Sequence, residues 1–189
     1  HHGKTNSTMR QTIETNYPGL PDDVRYVVQP DLSDIPEAKL RKLNGRWLFG
    51  MADESGLVSK NIIETQEFYD VLRNAMLLEI ERSRPFQFDY IFRIYGAEIT
   101  ALYGEDMTGK RISEFHGPEY GLFLDLFDIA LTRKSLIYSE HTPPHDVSVQ
   151  TWRSLVLPLG EEKVEWILVV CLPSNQRSSG LKQQTVYLD

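Results

Sequence analysis

The sequence predicts an α+β fold, on three observations. Strand-like runs are grouped, two near the middle and three at the end, instead of alternating singly with helices. Between the groups lie short helical pieces punctuated by glycine, then one longer amphipathic helix. The turns at 82–86 and 160–163 are short enough to be hairpins, which makes the strands they join neighbours.

The N-terminal third is helical after an irregular start. His1-His2-Gly3 has the composition of a tag remnant and Met9 is a plausible native start, so residues 1–8 are set aside. Residues 9–36 are polar and broken by Pro18, Gly19, Pro21, Pro30 and Pro36. Together they give an irregular arm over 1–36, in which Tyr26-Val27-Val28 is the strand-like piece, free to pair with a partner or a sheet edge. A helical extension follows over 37–76. Ser33 or Asp34 caps its first helix, Pro36 sits in the first turn, and Leu40, Leu43, Trp47, Leu48 and Met51 share one face. Gly45 interrupts that face at a cost of about 1 kcal/mol relative to alanine, and the helix ends near Asp53. Trp47, with Leu43 and Leu40, is either a core anchor or the centre of a dimer interface. After a connector at 57–63, Thr65 caps a second helix to Ala75, with Phe68, Val71, Leu72 and Ala75 on one face.

The domain proper is predicted over 77–173. Leu77 to Glu81 alternates and reads as a strand, with one continuous helix over 65–82 as the competing reading. Arg82 to Phe86 turns the chain into an aromatic, β-branched strand over 87–95. That strand ends at Gly96, which can take backbone angles closed to other residues. Ala97 to Tyr103 is a short helix capped by Gly104. Met107, Ile112 and Phe115 surround a further turn at Thr108-Gly109-Lys110. Pro118 then opens a helix whose apolar face is Leu122, Phe123, Leu126, Phe127, Ala130 and Leu131. Ser135 to His141 alternates, and Thr142-Pro143-Pro144 breaks it. Val147 to Leu159 is a long strand with Pro158 near its end, and Val164 to Leu172 is apolar enough for a central strand covered on both faces. Residues 174–189 are a polar tail that ends in Val186-Tyr187-Leu188 and Asp189.

Composition narrows the function. At 189 residues, 41% hydrophobic and 25% charged, the chain can bury a sizeable core. A net charge of −7 disfavours nucleic acid and acidic membrane surfaces. No stretch approaches the roughly 20 apolar residues of a membrane span, and no secretory leader pattern is present. A single cysteine, Cys171, excludes an internal disulfide and fits a reducing, cytoplasmic setting.

Three segments carry a family resemblance. They are Phe92-Arg93-Ile94-Tyr95-Gly96, then Leu102-Tyr103-Gly104 with Met107-Thr108-Gly109-Lys110, then Leu155-Val156-Leu157-Pro158-Leu159. In this order, from about Leu77 to Leu172, the chain resembles a PAS domain, and more narrowly the stand-alone PAS-like proteins of bacteria, mostly alphaproteobacteria. The Trp47 helix resembles an aromatic-bearing helix ahead of the domain in that family. The family's Pro- and Arg-containing segment is replaced by Leu57-Val58-Ser59-Lys60-Asn61-Ile62-Ile63. The resemblance implies a five-stranded antiparallel sheet with short helices on one face, a pocket for a small ligand, and signalling through a dimer or a docked partner without turnover.

Candidate ligand-binding side chains are Arg93, Tyr103, Phe115, His116, Phe123, Tyr138, Trp152 and Arg153. The aromatics suit a pocket wall or a core. An inward arginine at 93 or 153 would be a buried charge needing an anion or carboxylate, which an acidic ligand could supply; an outward one would be solvated. His116 reads as a surface group or a haem ligand. His141 and His145 beside Glu140 and Asp146 fall short of a metal set, and Cys171 reads as a buried inert thiol. No phosphate loop, nucleophile–base set or paired-carboxylate motif stands out, so no catalytic residue, metal or cofactor is named.

The expectation is therefore a PAS-type sensor, a non-enzyme that binds a small molecule and a signalling protein, and forms a homodimer. Two other readings stand beside it: an interaction-only dimerisation module, and a small α+β barrel enzyme with His116 and Asp106 as acid and base. With no kinase, cyclase or DNA-binding segment in the sequence, output would pass through another protein.

Overall fold

The computed structural model of the protein describes residues 9–13, 17–21, 24–51, 56–85 and 87–175. The expectations for a tag remnant at 1–8 and for most of the C-terminal tail lie outside the described residues. Its strands are β1 (Met9–Ile13), β2 (Val24–Val28), β3 (Ala75–Arg84), β4 (Gln87–Tyr95), β5 (Ile137–His141), β6 (Thr151–Gly160) and β7 (Val164–Ser174). They form one antiparallel sheet in the spatial order β1-β2-β5-β6-β7-β3-β4. The helices are α1 (Ala38–Gly50), α2 (Gln66–Tyr69), α3 (Ala97–Tyr103) and α4 (Tyr120–Arg133), with single 3-10 turns at Leu32–Asp34, Lys60–Glu64, Leu72–Asn74 and Ile112–Glu114.

The α+β class and the antiparallel sheet are as expected, but five strands become seven. The proline-broken arm is not irregular: Val24 to Val28 runs beside β5, pairing Val28 with Ile137 and Arg25 with Glu140, and β1 adds an outer strand. Helices do not lie on one face alone. The period-2 alternation of β3, β6 and β7 sends side chains into two cores. One holds Met76, Leu78, Trp152, Val156, Val169 and Cys171 under α3 and α4; the other holds Leu77, Leu155, Leu157, Leu168 and Val170 under α1 and α2. With a layer on each side, β5 and β6 are buried throughout, so β5 shows no exposed alternate positions despite its alternating sequence.

Several boundaries move. α1 starts later than Ser33 or Asp34 allows, because those residues belong to a separate 3-10 turn and Glu37 is the N-cap. The predicted helix to Ala75 stops after α2: Thr65 caps it as expected, accepting from the Phe68 backbone, but β3 already begins at Ala75. That also removes a continuous helix over 65–82. β6 begins at Thr151, not Val147. The divisions at 36/37 and 76/77 separate no independent cores, since Leu40, Leu43 and Trp47 share a cluster with Leu155 and Leu168.

Trp47, Leu43 and Leu40 correct the dimer expectation. Their relative exposures are 3%, 0% and 0%, and the Trp47 indole N–H donates to the Pro158 carbonyl at 3.2 Å. Leu40, Leu43 and Trp47 of the predicted stripe therefore face the protein's own sheet, whereas Leu48, expected on the same face, is exposed beside Phe49.

Gly96 is required for a different reason than expected. Its φ of −60° is open to any residue. A Cβ there would stand 2.2 Å from the Arg73 carbonyl oxygen, while the Gly96 amide donates to Ala75 O at 2.8 Å. The start of α3 is thus pressed against the entrance to β3. Gly104 and Gly109, at φ 83° and 84°, do occupy the left-handed region.

Candidate functional site

Between the sheet and the α3, 112–114 and α4 layer lies an inner cavity of about 40 Å³. β3 and β4 supply Met76, Leu78 and Phe92 to its floor, β6 and β7 supply Trp152, Val169 and Cys171, and the helical layer supplies Tyr103, Phe115, Phe123 and Phe127. A wall of Tyr95, Tyr103, Phe115 and Glu119 separates it from an outer cleft of about 270 Å³ that reaches Glu105, Glu114, His116 and Asp146. The inner space holds two or three water molecules at most, on the order of 15 Å³ each. It is much smaller than the hollow that the family resemblance implies.

One polar chain crosses this apolar space. The Trp152 indole N–H donates to the Tyr103 hydroxyl at 3.0 Å, and that hydroxyl donates to Glu119 Oε1 at 2.8 Å. The Tyr103 and Trp152 rings stack, 22° from parallel with centroids 6.5 Å apart. Glu119 is 1% exposed, and its Oε2 has no hydrogen-bond partner among the described residues. Burial raises the Glu119 carboxyl above the ordinary range against the pull of the Tyr103 hydrogen bond. Desolvation and the neighbouring Glu119 likewise push the Tyr103 phenol up. This is an inward carboxyl at the N-cap position of α4, turned away from capping.

The sequence-derived candidates divide cleanly. Tyr103, Phe115, Phe123 and Trp152 meet around the inner cavity, and His116 stands exposed on the outer cleft. Arg93, Tyr138 and Arg153 are elsewhere. Arg93 points outward on β4 and pairs with Glu79 at 2.8 Å. Tyr138 and Arg153 project from β5 and β6 onto the opposite, α1-side face, because strand parity puts them one residue out of step with Ile137 and Trp152. There Tyr138 donates to Glu140 at 3.0 Å and Arg153 pairs with Glu37 at 2.7 Å. The carboxylate an inward arginine needs is supplied by this chain, not by an acidic ligand.

Glu119 is the residue the sequence reading missed. An acidic residue next to Pro118 at a helix start looks like a routine cap, and only the packing of Phe115 and Gly117 over it turns it inward; a Cβ on Gly117 would lie 3.0 Å from Glu119 Oε2. Tyr95, Met76 and Cys171 were also missed as lining residues. Cys171 is buried as expected, its thiol pushed up to about 12 by desolvation and its Sγ accepting from the Ser154 hydroxyl at 3.1 Å.

Other polar candidates do not assemble. The Asp106 carboxylate is taken up by the Thr108 amide and hydroxyl, and it lines neither space, so it does not converge with His116. His141 is buried edge-on to Phe123, whereas its neighbour Glu140 faces the other side of the sheet. Among the described residues no group of three or more His, Cys, Asp or Glu side chains is placed to hold a metal ion, and no helix is long and apolar enough to cross a membrane. Larger grooves of about 470 and 480 Å³ lie beside α1 and β4, but no buried unpartnered polar atom lines either.

The class this geometry defines is an α+β domain with an aromatic pocket between an antiparallel sheet and short helices. Comparison with family models, curated proteins and solved structures finds no match to the chain.

Proposed function

We propose that this chain is a regulatory sensor module of the PAS type, which binds a small, partly apolar molecule between sheet and helices and passes occupancy to a protein partner. The observation that carries the reading is the pair of adjacent spaces that share a wall of Tyr95, Tyr103, Phe115 and Glu119. Glu119 Oε2, a buried carboxyl oxygen in the dividing wall without a hydrogen-bond partner among the described residues, is an acceptor open to a ligand's donor. The outer cleft is just below the usual size of a small-molecule site, and the inner one enlarges only if the helical layer moves. The joint of that layer is Gly104, where α3 ends in the left-handed region with open space around it; the following turn is held to β4, the Gly109 amide donating to Phe92 O at 2.7 Å and the Phe92 amide donating to Lys110 O at 2.9 Å. A ligand that fills the enlarged space selects the displaced arrangement of α3, a two-state change that a partner can read.

The interaction-only reading centred on Trp47 loses its anchor, since that side chain is inside the fold. The acid–base enzyme reading loses Asp106. The sensor reading is tested by screening a library of cytosolic metabolites by thermal shift and native mass spectrometry. At least one compound is expected to raise the melting temperature and appear as a one-to-one adduct, and Cys171→Met, which extends a side chain into the inner cavity, should remove both effects. If no compound binds, or if the adduct persists unchanged in Cys171→Met, the pocket is not the working site.

A further inference from the structure

From the electrostatics of the two spaces we infer that the ligand is an organic cation, a protonated amine on an aromatic or aliphatic ring, whose ammonium group is held by Glu119. This rests on the sensor reading above and specifies the chemistry of the same site. The outer cleft is lined by Glu105, Glu114 and Asp146 as well as Glu119, and no lysine or arginine is among the described residues that line either space. Lys110 pairs with Glu105 without itself lining the cleft. Glu114 also accepts from the Arg111 backbone amide at 2.7 Å, so its charge is oriented by its own turn. With Glu105 paired to Lys110 and His116 as the basic side chain on the rim, an anion moving inward would still meet the carboxyl groups of Glu114, Asp146 and Glu119, whereas a cation is drawn in by them.

The inner end of the path fits the same group. Glu119 Oε2 is the unpartnered acceptor, and the Tyr95, Tyr103 and Phe115 rings share the wall with it. Aromatic faces beside a carboxyl form the environment in which an ammonium keeps its charge while losing water: the rings supply cation–π attraction and the carboxylate supplies a charge-assisted hydrogen bond. A neutral alcohol would satisfy Oε2 with one weaker bond and gain nothing from the rim. A carboxylic acid ligand would be repelled by the rim unless it entered protonated. The apolar remainder of the ligand would pass Met107 and Val147 in the cleft and reach past Phe115 into the inner cavity.

Three matched probes decide it: 2-phenylethylamine, 2-phenylethanol and 3-phenylpropionate, titrated calorimetrically into the full chain at neutral pH and low salt. The amine is expected to bind about tenfold or more tighter than the alcohol, with the carboxylate weakest, consistent with one charge-assisted contact. Glu119→Gln should weaken the amine about tenfold and leave the alcohol within about twofold. Asp146→Asn, on the exposed rim, should weaken the amine by about two- to threefold and reduce its salt dependence, which keeps the test available if the Glu119 variant does not fold. If the alcohol or the carboxylate binds as tightly as the amine, or if both variants leave amine binding unchanged, the cation assignment is overturned while the pocket stands. If none of the three binds, even to Phe115→Ala, in which the dividing wall is opened, the pocket reading falls with it.

Discussion

Acidification should destabilise this protein through His141 before most of its carboxylates are protonated. The imidazole sits at the end of β5, 2% exposed, edge-on to Phe123, and neither ring nitrogen has a hydrogen-bond partner among the described residues. Burial holds it down from 6.5 to about 4. Above pH 6.5 the group is neutral in both the folded and unfolded chain and contributes no pH dependence. As pH falls below 6.5, the unfolded chain binds a proton that the folded one refuses until about pH 4, so stability drops through that window and levels off beneath it. A shift of about two and a half units corresponds to roughly 3 kcal/mol lost between pH 6.5 and pH 4, about 2 of it by pH 5. The control is His141→Leu, which removes the titrating group and the two unpartnered nitrogens but keeps an apolar side chain of similar bulk. Urea unfolding followed by circular dichroism, repeated from pH 7.5 to 4.5 on both proteins, separates this residue from the carboxylates they share. The leucine variant should be of similar stability at pH 7.5 and should pull ahead steadily as pH falls. Parallel curves would refute the reasoning: His141 would then take up its proton in the folded state, and the seam between β5 and α4 would be wet.

Three further outcomes are expected. Gly96→Ala should lose about 2–3 kcal/mol in urea unfolding, because its methyl group meets the Arg73 backbone and not a movable side chain; Gly104→Ala, with open space around it but a positive φ, should lose about 1. Trp47→Phe should lose about 1–2 kcal/mol by orphaning the Pro158 carbonyl, with no change of mass in light scattering, since the residue faces its own sheet. Glu119→Gln should gain on the native protein as pH rises through 4.5: there the unfolded chain gives up its proton before the buried carboxyl, whose range desolvation raises, does so, a penalty glutamine does not carry, so melting temperatures of the two proteins should separate above pH 4.5 and then run parallel once the folded carboxyl has ionised.

The parts of the fold legible in the sequence were those governed by local periodicity. β3, β4, β7, the short α3 with its glycine cap and the apolar face of α4 follow from alternation, 3.6-residue spacing and Gly104. β2 was legible only as three β-prone residues, since its strand character is realised by pairing with β5 more than a hundred positions away. Arg93 and Arg153 show the same limit at the level of single side chains. Both lie within strands, yet one meets Glu79 in solvent and the other meets Glu37 under α1, and the difference depends on which layers cover the sheet. Four of eight candidate ligand residues lined the inner cavity because aromatics near the helical layer have few other places to go. Glu119 was hidden because its sequence neighbourhood, a proline before a helix, explains it fully as a cap until the Phe115–Gly117 loop is seen to fold over it.

The two covers of the sheet differ in kind, and that difference favours the α3 side as the responsive one. Under α1 the contacts include side chains held by specific partners: Trp47 to the Pro158 carbonyl and Arg153 to Glu37 at the helix N-cap. Shifting α1 would break a buried hydrogen bond and leave the buried Arg153 charge without Glu37, which costs several kcal/mol. Over the other face, α3 is seven residues between glycines; its start is tied to β3 by the Gly96 amide on the Ala75 carbonyl, and its side-chain link to the sheet is the Tyr103 hydroxyl between Trp152 and Glu119. In the proposed sensor, a ligand group on Glu119 Oε2 draws on the same carboxylate charge as Tyr103 on Oε1 and so weakens that link at its helical end, while Trp152 keeps it at the sheet. Trp152 and Arg153 are consecutive on β6 and face opposite covers. The strand that carries the cavity's indole therefore also carries the ion pair that ties down the N-terminal segment, and the two layers meet through a single peptide unit.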